Sequence, residues 1–222
     1  MARKKQKPPF SPAVVLVAVL IILVLGVFGV QVPDSIQEIF GIHTQQETKP
    51  SAPSSSTSTN PGPKELGPAT FSASEMADSK KGWIDYHKLD SLGRATGADA
   101  LLKPAMVNTG TAANKDVRPP GFISGLDPYN HSRGHLIGRQ MGGSGDDARN
   151  LTTLYQTPVN TPFMTKYENQ IRQALDKGET VRYRVTPIYE GTELLCKEIE
   201  LEAKGLNKNT TIDFRVSILN EK

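Results

Sequence analysis

The stretch TQQETKPSAPSSSTSTNPGPKELGP, residues 44–68, sets the first limit on how this chain can fold. It is rich in Ser, Thr and Pro and nearly free of apolar side chains. Such a segment cannot bury enough surface to offset the entropy lost in ordering its backbone, so it reads as a flexible tether. A single folded domain is expected on its C-terminal side, over 69–222, a comfortable length for one core. On its N-terminal side, AVVLVAVLIILVLGVFGVQV, residues 13–32, is apolar except for Gln31. About 20 such residues in a helix match the roughly 30 Å thickness of a bilayer core.

Residues 1–12 carry Arg3, Lys4, Lys5 and Lys7 and no acid, and a basic flank of this kind favours the cytoplasmic side. The expected organisation is a basic cytoplasmic tip over 1–12, a transmembrane signal anchor over 13–32, a Ser/Thr/Pro-rich linker over 33–68, and a domain over 69–222 held outside the cell membrane. The alternative is a cleaved signal peptide and a secreted domain. The length of the apolar run and the lack of a small-residue cleavage pattern favour the anchor.

The formal net charge is +3, and the four basic residues of the tip account for more than all of it, leaving −1 for the rest. The alkaline isoelectric point therefore does not argue for a strongly basic binding domain. Cys196 is the one cysteine. No intramolecular disulfide can form, and a small buried hydrophobe is its expected role.

Within 69–222 the pattern is α+β with an antiparallel sheet. WIDYHKLDSLGRATGADALL (83–102) reads as a strand, a turn at Asp90 to Gly93, and a second strand or short helix, with Trp83 in the core. HLIG (135–138) and LTTLY (151–155) read as short buried strands joined by a Gly/Asp-rich loop. In NTPFMTKYENQIRQALDKG, Thr161 can cap a helix, Pro162 fits its first position and Gly178 can end it. VRYRV, ELLCKEIEL and IDFRVSI then form an antiparallel meander with turns near Gly191 and Gly205.

His135 stands in HSRGHLIGRQMGG, and alone it would be read as a satisfied strand-end histidine. Its company changes that. Asn150, Asn160 and Glu168 follow, the last eight residues beyond Asn160 and so on nearly the same face of a helix. An amide oxygen and a carboxylate, with room for water, suit Mg²⁺, which keeps much of its hydration shell. A histidine base beside such an ion can drive metal-assisted hydrolysis. Gly142, Gly143 and Gly145 form either a phosphate-approach loop or a plain flexible turn.

SRGHLIGRQMGGSGDDARNL followed by VNTPFMTKYEN resembles the DNA/RNA non-specific endonuclease family, whose active site is of the ββα-metal, or His-Me finger, kind. LDSLGRATGADALL and YRVTPIYEG also resemble flanking segments of bacterial members. The resemblance implies a Mg²⁺-dependent, largely sequence-non-specific endonuclease acting on DNA, with RNA as a further candidate, and with Mn²⁺ as a candidate substitute for Mg²⁺. It assigns the general base to His135, the direct metal ligand to Asn160, and to Glu168 either a water-mediated metal contact or the orienting of the metal's shell. Arg133 would neutralise phosphate or position the loop, and Asn150 would hold the hairpin or His135, unless it is simply a turn residue. Arg139 would touch the nucleic-acid backbone, unless it is only a solvated surface arginine.

Two departures stand out. Ser132 replaces the family's usual Asp, and one extra residue separates Asn150 from Asn160. Ser132 leaves open an alternative of another class, a catalytically impaired, membrane-anchored module that binds nucleic acid or another surface partner.

Overall fold

The computed structural model describes residues 60–125 and 127–222. Among these residues, eight strands and one long helix carry the architecture. They are β1 (Lys64–Gly67), β2 (Trp83–Tyr86), β3 (Ala98–Leu102), β4 (His131–His135), β5 (Leu151–Tyr155), α1 (Thr165–Asp176), β6 (Val181–Ile188), β7 (Glu198–Gly205) and β8 (Asp213–Leu219). Six strands form an antiparallel sheet in the order β1-β8-β7-β6-β3-β2, while β4 and β5 form a separate hairpin.

Alternation along the central strands makes two different faces. On one, cross-strand rows such as Ala98–Val185–Leu201–Val216 and Ala100–Tyr183–Ala203–Phe214 are buried. Helix α1 adds Tyr167, Ile171, Ala174 and Leu175 to this core, and Leu136, Ile137, Met141 and Leu154 join from in and around the hairpin. The opposite face carries Asp99, Arg184 and Glu202 side by side on β3, β6 and β7. Arg184 Nε donates to Asp99 at 2.9 Å, and Arg182 and Arg184 both stack on the Phe71 ring. Thr70 donates its hydroxyl to Glu202 at 2.8 Å, and Glu75 pairs with Arg184, so residues 70–75 lie as a strap across this charged face.

Several expectations change. Residues 64–67, expected in the linker, form edge strand β1 on β8. Trp83 is 38% exposed rather than in the core. It lies on edge strand β2, where its ring stacks on the Arg182 guanidinium at 4.9 Å. The helix does not begin at Thr161–Pro162. Thr161 is extended (φ −138°, ψ 124°), as a residue before proline prefers, and α1 starts at Thr165, whose N–H and hydroxyl both bond the Asn160 carbonyl. The expected C-terminus holds: Gly178 adopts positive φ (89°) and donates to Leu175 O. Cys196 is buried as expected, and burial pushes its thiol up to about 12.

The membrane anchor needs a correction. No helix among the described residues is long and apolar enough to cross a membrane, since the one long helix is amphipathic and has twelve residues. The segment 13–32 to which the span was assigned lies outside the described residues, as does most of the expected linker. The described residues form an antiparallel sheet with a separate ββ hairpin and a helix, and the expected transmembrane helix, membrane contact and single-pass localisation are not borne out by any helix among them.

Candidate active site

A cleft of about 790 Å³ opens between the end of β4, the turn after it and the first turns of α1. Of the residues singled out by the sequence, His135, Arg133, Arg139, Asn160 and Glu168 all line it, and Asn150 does not. The hairpin explains the histidine and arginine. His131, Arg133 and His135 alternate onto one face of β4, while Ser132 and Gly134 turn to the other. Ser132 donates its hydroxyl to the Leu154 carbonyl at 3.2 Å, and Gly134 packs against the Leu154 side chain, where a Cβ would lie 2.4 Å from Cδ1.

His135 is half-buried, and its Nε2 lies 3.1 Å from the Thr111 carbonyl. A carbonyl can only accept, so this contact requires Nε2–H and leaves the lone pair on Nδ1. Burial lowers the imidazole below the ordinary value near 6.5. The Thr111 hydrogen bond opposes that shift, and the Arg139 charge adds to it. The ring is thus a neutral base at neutral pH.

Thr111 is itself locked in place. Its N–H donates to Gly143 O at 3.0 Å, and its hydroxyl accepts from Gly145 N–H at 2.7 Å. The glycines of this loop are there for close packing rather than as a phosphate cradle. A Cβ on Gly143 would lie 1.6 Å from Ile137 O, and one on Gly145 would lie 1.9 Å from Ala112 O.

Asn150 is fully buried behind the cleft. Its Oδ1 accepts from Ile137 N–H at 2.9 Å, and its Nδ2 donates to Ile137 O and Ser144 O. It clamps the chain leaving His135 to the glycine loop and lies behind the cleft rather than lining it.

Asn160 precedes α1. Its backbone carbonyl is tied to Thr165, and its Nδ2 donates to Gln156 Oε1 at 3.1 Å. That leaves Oδ1 as the free acceptor. Glu168 is on the first turn of α1, in a stripe with Met164, Ile171 and Leu175, all three buried. Among the described residues no group donates a hydrogen bond to its carboxylate, and burial lifts its carboxyl to about 7. An uncompensated carboxylate beside a free amide oxygen fits a divalent cation, whose charge would favour the ionised form. Asn160 and Glu168 are the residues that would hold it. Among the described residues no three His, Cys, Asp or Glu side chains gather as a metal site.

Gly138 lets Glu168 come close: a Cβ there would lie 2.7 Å from Glu168 Oε1. Gly138→Ala is expected to displace the carboxylate and cut turnover at least about tenfold, with little change in melting temperature because the side-chain end can move. Undiminished turnover in steady-state assays of the variant would contradict this placement.

Arg133 is held rigidly, with Nε donating to Val117 O at 2.8 Å, Nη2 to Lys115 O at 2.9 Å and the plane stacked 4.1 Å from Phe122. Arg139 is exposed at the rim. Three groups escaped the sequence reading: Thr111, Gln156 and Arg172. Arg172 lines the cleft one turn beyond Glu168 and donates to Asn108 Oδ1 at 2.8 Å. Its i,i+4 spacing from Glu168 could have revealed it. Thr111 and Gln156 act through long-range or turn geometry that no local pattern announces.

A two-stranded hairpin and a helix bring His135, Asn160 and Glu168 to one cleft. The family model described as DNA/RNA non-specific endonuclease matches residues 73–207, and the chain belongs to that family of nucleic-acid-cleaving enzymes. Among solved structures it is similar to NucA from Streptococcus agalactiae with magnesium ion bound, at 26% identity and a TM-score of 0.61, over 72% of this chain and 82% of that one. A protein described as an extracellular endonuclease matches at 25% identity and a TM-score of 0.50, over 73% of this chain and 91% of that one. The Sda1 nuclease with bound zinc ion shares the fold at 17% identity and a TM-score of 0.58, over 72% of this chain and 90% of that one.

Proposed function

We propose that this chain is a Mg²⁺-dependent endonuclease that hydrolyses DNA, and RNA as a second substrate, with little sequence preference, and that it works outside the cytoplasm. The observation that carries the reading is a histidine with a free Nδ1 facing the same cleft as the Asn160 amide oxygen and the Glu168 carboxylate. The magnesium bound by the similar NucA supports the choice of ion, and the likeness to an extracellular endonuclease supports the location.

His135 takes a proton from the attacking water through Nδ1, while Thr111 O holds Nε2–H and so keeps the ring in the productive tautomer. Arg133, fixed by two carbonyls and Phe122, presents its remaining Nη1 to phosphate without having to reorganise. Arg139 adds charge at the mouth. Asn160 and Glu168 are the residues that would hold Mg²⁺, which when bound would supply Lewis-acid stabilisation of the phosphodiester and its leaving oxygen; Mn²⁺ is a candidate substitute. None of these groups reads bases, in keeping with a backbone-directed mechanism.

Specific observations also favour a second reading, a nucleic-acid-binding module with impaired catalysis. Ser132 stands where the family usually has Asp, its hydroxyl is spent on Leu154 O, and no three-ligand metal cluster exists among the described residues. Plasmid cleavage by the full chain decides between the two. The nuclease reading predicts nicking and linearisation with Mg²⁺ and none with EDTA. Retardation of the plasmid without turnover, across Mg²⁺ and Mn²⁺, would make the binding module correct.

A further inference from the structure

Two adjacent acids, Asp146 and Asp147, end the glycine loop, and the fold uses their carboxylates differently. Asp147 caps the short turn before β5 and pairs with Arg149, Nη2 to Oδ2 at 2.7 Å. Asp146 is exposed and reaches across to residues 111–114, the stretch TAAN. One of its oxygens accepts from Asn114 Nδ2 at 2.9 Å, and the other accepts from the Thr111 hydroxyl at 3.3 Å. A single carboxylate thus grips both ends of a four-residue segment.

That segment carries the carbonyl that meets His135. Thr111 O lies 3.1 Å from His135 Nε2, yet residues 111–114 belong to no helix or strand. Thr111 and Ala112 are exposed, so side-chain packing does little to hold the peptide between them. Backbone bonds join the segment to the glycine loop, from Thr111 N–H to Gly143 O at 3.0 Å and from Asn114 N–H to Gly145 O at 2.9 Å. A bonded N–H fixes the peptide plane before its residue and leaves the next plane free to rock about ψ. The Thr111 carbonyl belongs to that next plane. Asp146 is itself well anchored. Its N–H donates to Ser144 Oγ at 3.1 Å, Ser144 N–H donates to the Tyr86 hydroxyl at 2.9 Å, and Ser144 O accepts from the buried Asn150 at 2.8 Å.

We propose that Asp146 is a positioning residue for the general base: by holding Thr111 and Asn114 it keeps the Thr111 carbonyl on His135 Nε2–H, and so keeps the Nδ1 lone pair available. The proposal rests on the assignment of His135 as the base. Once the carbonyl is displaced from Nε2, nothing there favours one tautomer, and a neutral imidazole with its proton on Nδ1 cannot accept another at that atom. A carboxylate suits the task because it accepts at both oxygens at once, through charge-assisted hydrogen bonds.

Asp146→Ala in the full chain should lower kcat for DNA cleavage at least about tenfold, since a small misplacement of a catalytic group is costly, while KM should not rise. Thr111→Val should lose as much or more, and Asp146→Ala should add little in its background, because the two residues act through one contact. Asp146→Asn, which keeps one acceptor oxygen, should recover part of the loss. The tautomer is read without turnover. In protein with isotopically labelled histidines, nitrogen NMR at a pH where the ring is neutral should report Nε2–H for His135 in the wild type and a mixture with Nδ1–H in Asp146→Ala.

A fall in kcat with the wild-type tautomer intact would place the damage in the loop and not at the base, and would overturn the role. So would a change confined to KM, or a loss as large in the Thr111→Val background as in the wild type. His135→Ala, assayed alongside, separates the proposal from the assignment beneath it. If His135→Ala is inactive and Asp146→Ala matches the wild type in kcat and tautomer, His135 stands as the base and the role of Asp146 is overturned. If His135→Ala is fully active, the base assignment is overturned and the proposal falls with it, even where Asp146→Ala shifts the tautomer.

Discussion

His135→Ala is expected to lower phosphodiester cleavage by about 10²–10⁴-fold, the usual contribution of a positioned general base, with the fold retained. The side chain makes one hydrogen bond, to Thr111 O, and is half-buried at the edge of the cleft rather than packed in the core. Its loss removes the proton acceptor and little packing. The contrast with Asn150 sharpens the expectation. The Asn150 side chain satisfies three backbone groups inside the protein, so its truncation would lower stability as well as turnover. Circular dichroism and thermal melting of His135→Ala beside its steady-state kinetics check the claim. A variant that is folded and fully active would contradict it.

Asn160→Ala is the second large effect. The Asn160 side chain donates to Gln156 and offers its oxygen to the cleft, while the helix start depends on its backbone carbonyl, which the substitution keeps. With Asn160 as the proposed ligand, its removal should cost several kcal/mol of metal-derived stabilisation, about 10²–10³-fold in rate at a given Mg²⁺ concentration. Part of the loss should be recovered at high Mg²⁺. Kinetics of Asn160→Ala across a Mg²⁺ titration measure this. An unchanged Mg²⁺ dependence would move the ion elsewhere in the cleft.

The parts of this molecule that were legible in the sequence are those whose signals are local. Alternation wrote β6 and β8 plainly, and the Asp90–Gly93 turn and the Gly178 helix end carried their own turn chemistry. The site residues were legible because their side-chain types recur at motif spacings in a short span of chain. What was lost depends on distant partners. KELG became a strand because β8, some 150 residues away in sequence, offers an open edge. Trp83 left the core because its strand lies at the sheet edge above Arg182.

The helix start was misplaced for a different reason. Thr161 and Pro162 satisfy the capping rule locally, but Thr161 stays extended before proline and the chain turns once more before Thr165. Thr111, which sets the histidine tautomer, could not be identified without knowing that the glycine loop folds back on it. Glu168 lines the same cleft as Asn160.

The most direct test of the central claim is the pH dependence of kcat/KM at saturating Mg²⁺. His135 acts as a base only when neutral, and burial together with Arg139 holds its pKa below the ordinary 6.5. Activity should therefore be full at neutral pH and fall tenfold per pH unit on the acid side of a single ionisation below about 6.5. The residual activity of His135→Ala should lack that ionisation. The same acid limb persisting in His135→Ala would assign the base to another group and contradict the account.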